Sequence, residues 1–147
     1  MKYKAIQEWL KQYAPLNSWI YFNVTPMDNG AVAVNSVPDS TITVTEHIDG
    51  SKEKKMIFAI VLVQKYSNGT DELNLKAMEE YENLATWIEN QDIAGNYPEF
   101  KNCKIWEIVR KDSSPTVSVD SDKMLAKYQS QFEISYLERR KKRNGET

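Results

Sequence analysis

Residues 41–65 read TITVTEHIDGSKEKKMIFAIVLVQK, and this stretch sets the architecture. Met56 to Val63 is apolar at every position, too short for a bilayer span of roughly 20 residues and rich in the β-branched and aromatic types that favour strands. A strand with no polar side is covered on both faces, which places it centrally in a sheet. Asp49-Gly50 upstream tolerates the positive φ of a tight turn. The residues before it, Thr41 to Ile48, are therefore expected to fold back antiparallel on Lys54 to Lys65.

On the N-terminal side, Trp19 to Thr25 and Ala31 to Ser36 read as further strands, separated by an Asn29-Gly30 turn. At the N-terminus itself Ile6, Trp9, Leu10 and Tyr13 recur at helical spacing, and Pro15 closes that helix. Downstream, Asp71 is placed to cap a second helix, with Glu72 suited to the positive end of its dipole. Its apolar stripe is Ala77, Met78, Tyr81, Leu84, Ala85 and Ile88, and Gly95 and Pro98 mark its exit. Glu79, Glu80 and Glu82 are expected on its solvated face. Lys104 to Lys111 and Thr116 to Val119 read as strands. Tyr128 to Leu137 alternates, with Tyr128, Phe132, Ile134 and Tyr136 on one side and Gln129, Gln131, Glu133 and Ser135 on the other. No repeat or linker divides the chain. The expectation is one α+β domain over residues 1–137, a mostly antiparallel twisted sheet carrying two helices, followed by a basic tail at 138–147.

Composition narrows the function classes. The chain has 147 residues, 41% hydrophobic and 27% charged, the proportions of a globular domain. Its 11% aromatic content favours an assembling protein, since Trp and Tyr are enriched at interfaces. The N-terminus has no apolar signal core. The net charge of −2 conceals an asymmetry: residues 1–137 hold 14 basic against 19 acidic side chains, and the tail carries +3.

Chemical motifs are sparse. His47, the single histidine, falls on a hairpin rim, and the single Cys103 reads as a small core residue rather than a nucleophile paired with it. Asp120 and Asp122 offer a carboxylate pair, but Asp-Ser-Asp-Lys is ordinary turn composition. The five glycines are scattered, which leaves no phosphate-cradling loop. The expectation is a non-enzymatic protein with no cofactor and no metal. The rival enzyme reading rests on His47 or on Asp120 with Asp122. The run Arg139, Arg140, Lys141, Lys142 and Arg143 is the one dense charge cluster, a candidate contact for DNA or an acidic partner. A monomeric adaptor working through that run is the alternative function.

Several stretches, in order, resemble one family. Asn35-Ser-Val-Pro38 is followed by Ile48-Asp49-Gly50-Ser51 leading into Phe58-Ala59. Then come Glu82-Asn-Leu-Ala-Thr-Trp87-Ile88-Glu89-Asn-Gln91, Gly95-Asn96-Tyr97-Pro98, and Ala126 to Tyr136. Together they are similar to the small phage proteins known as tail terminator or minor capsid proteins, which complete tails and join them to heads, including those of phage-tail-like bacteriocins. The similarity spans most of the chain from Asn35 to Tyr136, leaving the basic tail outside it. It implies a structural subunit of a homo-oligomeric ring, commonly hexameric, that caps the head-proximal end of a tail tube. Its partners would be the tube protein, a sheath where the tail is contractile, and the neck or head connector, with DNA passing through the lumen without specific binding. The implied location is the virion tail or phage-like particle, assembled in the bacterial host cytoplasm. Candidate interface residues are Asp49 and Gly50 at the hairpin turn and Gln129, Gln131 and Glu133 on the polar face of the last strand.

Overall fold

The apolar run at 56–63 lies in the middle of a seven-stranded sheet. The computed structural model describes residues 1–16 and 19–140. In chain order the elements are α1 (Lys2–Leu10), β1 (Ile20–Phe22), β2 (Val32–Ser36), β3 (Ile42–Glu46), β4 (Lys52–Lys65), α2 (Glu72–Ala94), β5 (Cys103–Arg110), β6 (Thr116–Asp120) and β7 (Leu125–Glu138). Two helices and a mostly antiparallel sheet make this an α+β fold, as the residue pattern implies.

β4 and β7 are the frame. Both are 14 residues long and pair antiparallel over their whole length, Lys52 opposite Glu138 and Lys65 opposite Leu125. Shorter strands lie end to end along the outer side of each. β2 pairs with β4 from Leu62 to Phe58, and β3 pairs with it from Lys55 to Lys52. On the far side β6 pairs with Leu125 to Gln129 of β7, and β5 with Phe132 to Glu138. β1 joins β2 in parallel.

Both helices cover one face. Met56, Phe58, Ile60 and Leu62 of β4 and Tyr128, Phe132, Ile134 and Tyr136 of β7 pack against Ile6, Trp9 and Leu10 of α1 and Ala77, Tyr81, Leu84 and Ile88 of α2. Burying side chains of this size stabilises by roughly 1.5–3 kcal/mol each. Trp9 and Trp87 tie the helices together with ring centroids 5.1 Å apart, and Tyr13, beyond the end of α1, adds a contact to Trp87 at 5.5 Å. The expectation that the Met56–Val63 run is covered on both faces holds for all but the half-buried Ile57, though for an unforeseen reason. Ala59, Val61 and Val63 on the helix-free side are buried within the sheet itself, in rows that run Asn35–Ala59–Gln131 and Ala33–Val61–Gln129, with Met27 packed near Val63.

Four local expectations need correction. The strand expected over Trp19 to Thr25 is only Ile20–Phe22, because Asn23 turns left-handed at φ 60 and its Oδ1 accepts from Ser36 N at 2.7 Å. Asp71 occupies the N-cap position of α2 without a side-chain cap; the preceding loop is held instead by Asn74, which bonds both Ser67 N and Ser67 O. Glu82 is not simply solvated. It accepts a two-pronged contact from Arg110, at 2.6 and 3.0 Å. Glu138, read as the first residue of the tail, closes β7.

Candidate functional site

The Asp49-Gly50 turn forms as expected and makes the β3–β4 hairpin an arm. His47 N donates to Ser51 O at 2.8 Å and Gly50 N to His47 O at 2.9 Å. Asp49 Oδ1 accepts from Ser51 Oγ at 2.6 Å and Ser51 N at 2.8 Å, and these bonds hold its carboxyl below the usual carboxylate range. Gly50 sits at φ +87, a left-handed position that favours glycine, with the Arg140 side chain packed where a Cβ would project. All five residues of β3 are exposed. Ile42 and Val44 expose 54% and 53% of their surface and Ile48, at the tip, is fully exposed, so three apolar side chains are only partly covered or uncovered here by the described residues.

The other candidates fall in two places. Arg139 and Arg140 are beside the hairpin tip: Arg139 N donates to Asn102 O at 2.9 Å, and Arg140 lies over Gly50. Lys141, Lys142 and Arg143 lie outside the described residues. Gln129, Gln131 and Glu133 share the helix-free face of β7 as the alternation predicts, but they are half-buried rather than open. The Glu133 carboxylate lies 3.8 Å from Lys55 Nζ and 3.5 Å from Lys111 Nζ. From Glu133 to the hairpin end of β7 is five residues, roughly 17 Å of strand. The structure thus brings Asp49 and Gly50 together with the start of the basic run and keeps them apart from the Gln129–Glu133 stripe.

The residues weighed for chemistry are occupied structurally. His47 Nε2 is 3.2 Å from Glu53 Oε1 on the hairpin rim. Cys103 begins β5 half-buried against the core, and burial pushes its thiol up, away from the reactive thiolate. Asp120 Oδ1 accepts from Asp122 N at 3.1 Å and Lys123 N at 3.2 Å, an ordinary turn closure. Among the described residues no three His, Cys, Asp or Glu side chains are grouped to hold a metal ion. A cleft of about 460 Å³ between Tyr13, Leu16, Leu62 and Leu84 presents Glu80, Asn83, Asn29 and Gln64, amides and one carboxylate with no nucleophile beside a base. No described helix is long and apolar enough to cross a membrane.

Two features escaped the residue pattern. β6 mirrors β3: Thr116 to Val119 are exposed, with Val117 at 43% and Val119 at 50%. Their alternating Thr, Ser and Val read correctly as strand, but only the pairing shows that each is an outermost strand. The second is a buried polar web around Tyr81. Its hydroxyl donates to Ile60 O at 2.7 Å and accepts from Ser130 N at 2.8 Å, while Ser130 Oγ and Asp112 accept from Arg110, whose guanidinium lies 5.9 Å from the Tyr81 ring.

No protein-family model matches the chain, and no curated protein matches it.

Proposed function

We propose that this chain is a structural subunit that assembles with copies of itself into a ring and caps the head-proximal end of a phage or phage-like tail tube, stopping tube growth and joining the tube to the neck. The reading rests on the resemblance carried by residues 35–136 and on one structural observation. The outermost strand of the β3–β4 hairpin is exposed along its whole length and the apolar Ile48 projects from its tip. Such a strand adds little apolar burial to the isolated fold, since Ile42 and Val44 keep about half of their surface exposed and Ile48 all of it, and it is suited to contact a neighbouring subunit. Capping depends on two unlike faces, one that docks on the tube and an opposite one that refuses another tube subunit.

The test is co-assembly with a phage tail tube protein. Added at substoichiometric amounts during tube polymerisation, the chain should shorten the tubes and appear by electron microscopy as a ring at one end only. Tubes of unchanged length with no terminal density would dispose of the proposal.

A further inference from the structure

We infer that copies of this chain join edge to edge, β3 of one subunit pairing antiparallel with β6 of the next, so that the sheet continues across the contact. This pairing would be the interface for the self-assembly in the proposed function and rests on that part of it.

Unpaired strand edges are hazards that proteins ordinarily cover. This sheet covers two of its four. On β1, Gln7 Nε2 of α1 donates to Ile20 O at 2.8 Å. On β5, Asp92 Oδ1 of α2 accepts from Ile108 N at 3.0 Å, and the Tyr97 hydroxyl lies 2.8 Å from Trp106 O. β3 and β6 receive no such cap among the described residues, although each is five residues long and exposes two branched apolar side chains. The same fold that closes two edges with side chains leaves two others open.

The open edges suit each other. β3 runs antiparallel to β4, β4 to β7, and β7 to β6, so β3 and β6 point in opposite directions and lie on opposite flanks of the β4–β7 frame. A copy moved sideways and shifted along the strand direction, with no turning over, brings its β6 beside β3 antiparallel and with the helix faces on the same side. Thr43 pairs with Lys54 and Val119 with Ala126, so both point to the helix face. In the register that sets Thr43 beside Val119, Asp120 lies beside Ile42 in a row that continues to Lys55 on β4, so a basic side chain stands two strands from the acid on the same face. Parallel pairing would instead set Glu46 against Asp120 and cost repulsion. A second copy is therefore the occupant that the directions, faces and charges select.

The contact is heterologous, joining two different patches, and must close into a ring or run on as a fibre. The edges lie at opposite ends of the frame, β3 by Lys52 and β6 by Leu125. Successive subunits are thus staggered along the strand direction by roughly 30 Å. A stagger in register is the condition for a sheet to close on itself.

Blocking one edge at a time tests this. Val44→Lys places a charge on the β3 edge and Val119→Lys on the β6 edge, with Val44→Pro and Val119→Pro as second variants and circular dichroism as the check on folding. By native mass spectrometry the wild-type chain should form closed oligomers and each variant should be monomeric. A mixture of the β3-blocked and β6-blocked chains should stop at heterodimers, because only one intact edge of each kind remains. Wild-type-like assembly by both variants, homodimers from either variant alone, or a wild-type chain that stays monomeric when concentrated would overturn the edge pairing. A chain that binds tube protein rather than itself through Val119 would do the same. If the edges pair as inferred but tubes go uncapped, the tail role fails and this interface stands.

Discussion

At the scale of single residues, the most consequential side chain is Tyr81. Ile60 and Ser130 are opposite each other on β4 and β7, and the Tyr81 hydroxyl reaches from α2 to satisfy a carbonyl of one and an N–H of the other. Tyr81→Phe keeps the ring and removes the bridge, leaving buried backbone groups short of a partner. The expected loss is about 1–3 kcal/mol in urea unfolding, larger than for a half-buried tyrosine such as Tyr21. Alkaline pH offers a second residue-scale measurement. Burial, then the charge of Glu138, pushes the Tyr136 hydroxyl up to about 12 from its ordinary 10.0, and burial with the Asp92 hydrogen bond does the same at Tyr97. The unfolded chain gives up these protons first, so the stability they contribute is fully present below pH 10.0 and is lost as pH rises through about 12. Unfolding midpoints measured across that window should fall, and Tyr136→Phe should flatten the fall. Residue pattern alone does not reach these effects. Tyr81 is legible as a stripe residue, whereas the partners of its hydroxyl lie 21 and 49 residues away on other elements.

At the scale of elements, local chemistry and long-range pairing divide what could be foreseen. Asp49-Gly50 set the hairpin, the Ala77–Ile88 stripe set α2 and Gly95 its left-handed end, and the alternation of 128–137 set the two faces of β7; each is a signal within a few residues. The parallel placement of β1, the end-to-end arrangement of β2 and β3 on one strand, and the exposure of β3 and β6 all depend on partners distant in the chain. The candidate interface shows the same split. Asp49 and Gly50 are found by turn chemistry and do sit on an exposed arm, while Gln129, Gln131 and Glu133 were expected on an open face that the sheet's own neighbours half-cover. The edge cap at Asp92 belongs to this scale. Asp92→Ala removes the acceptor for Ile108 N and a partner of Tyr97, freeing the β5 edge beside the bulge at Trp106. The expected result is a loss of about 1.5–3 kcal/mol with concentration-dependent aggregation by light scattering, and Asp92→Asn, which keeps an acceptor, should recover most of both.

At the scale of the whole molecule, charge separates the ring subunit from an adaptor that grips DNA. The body is acidic and the tail basic, so an adaptor would bind nucleic acid through Arg139 to Arg143. Five such side chains, all engaging phosphate, would give a slope of log affinity on log salt of up to about −4.5. A ring through which DNA slides needs the reverse, weak contact, and an acidic body repels phosphate. The two residues of the run that are described are engaged with the protein itself: the Arg139 backbone bonds Asn102, and Arg140 lies over the hairpin turn at Gly50. Their position beside the arm gives the start of the run a bracing role. Deleting residues 139–147 should therefore leave tube capping intact and remove at most a weak, salt-sensitive DNA affinity. It should also loosen the hairpin, seen as faster amide exchange at His47 and Gly50, whose N–H groups close the turn. Steep, tail-dependent DNA binding with capping abolished by the deletion would instead make the basic run the working surface and the ring reading wrong.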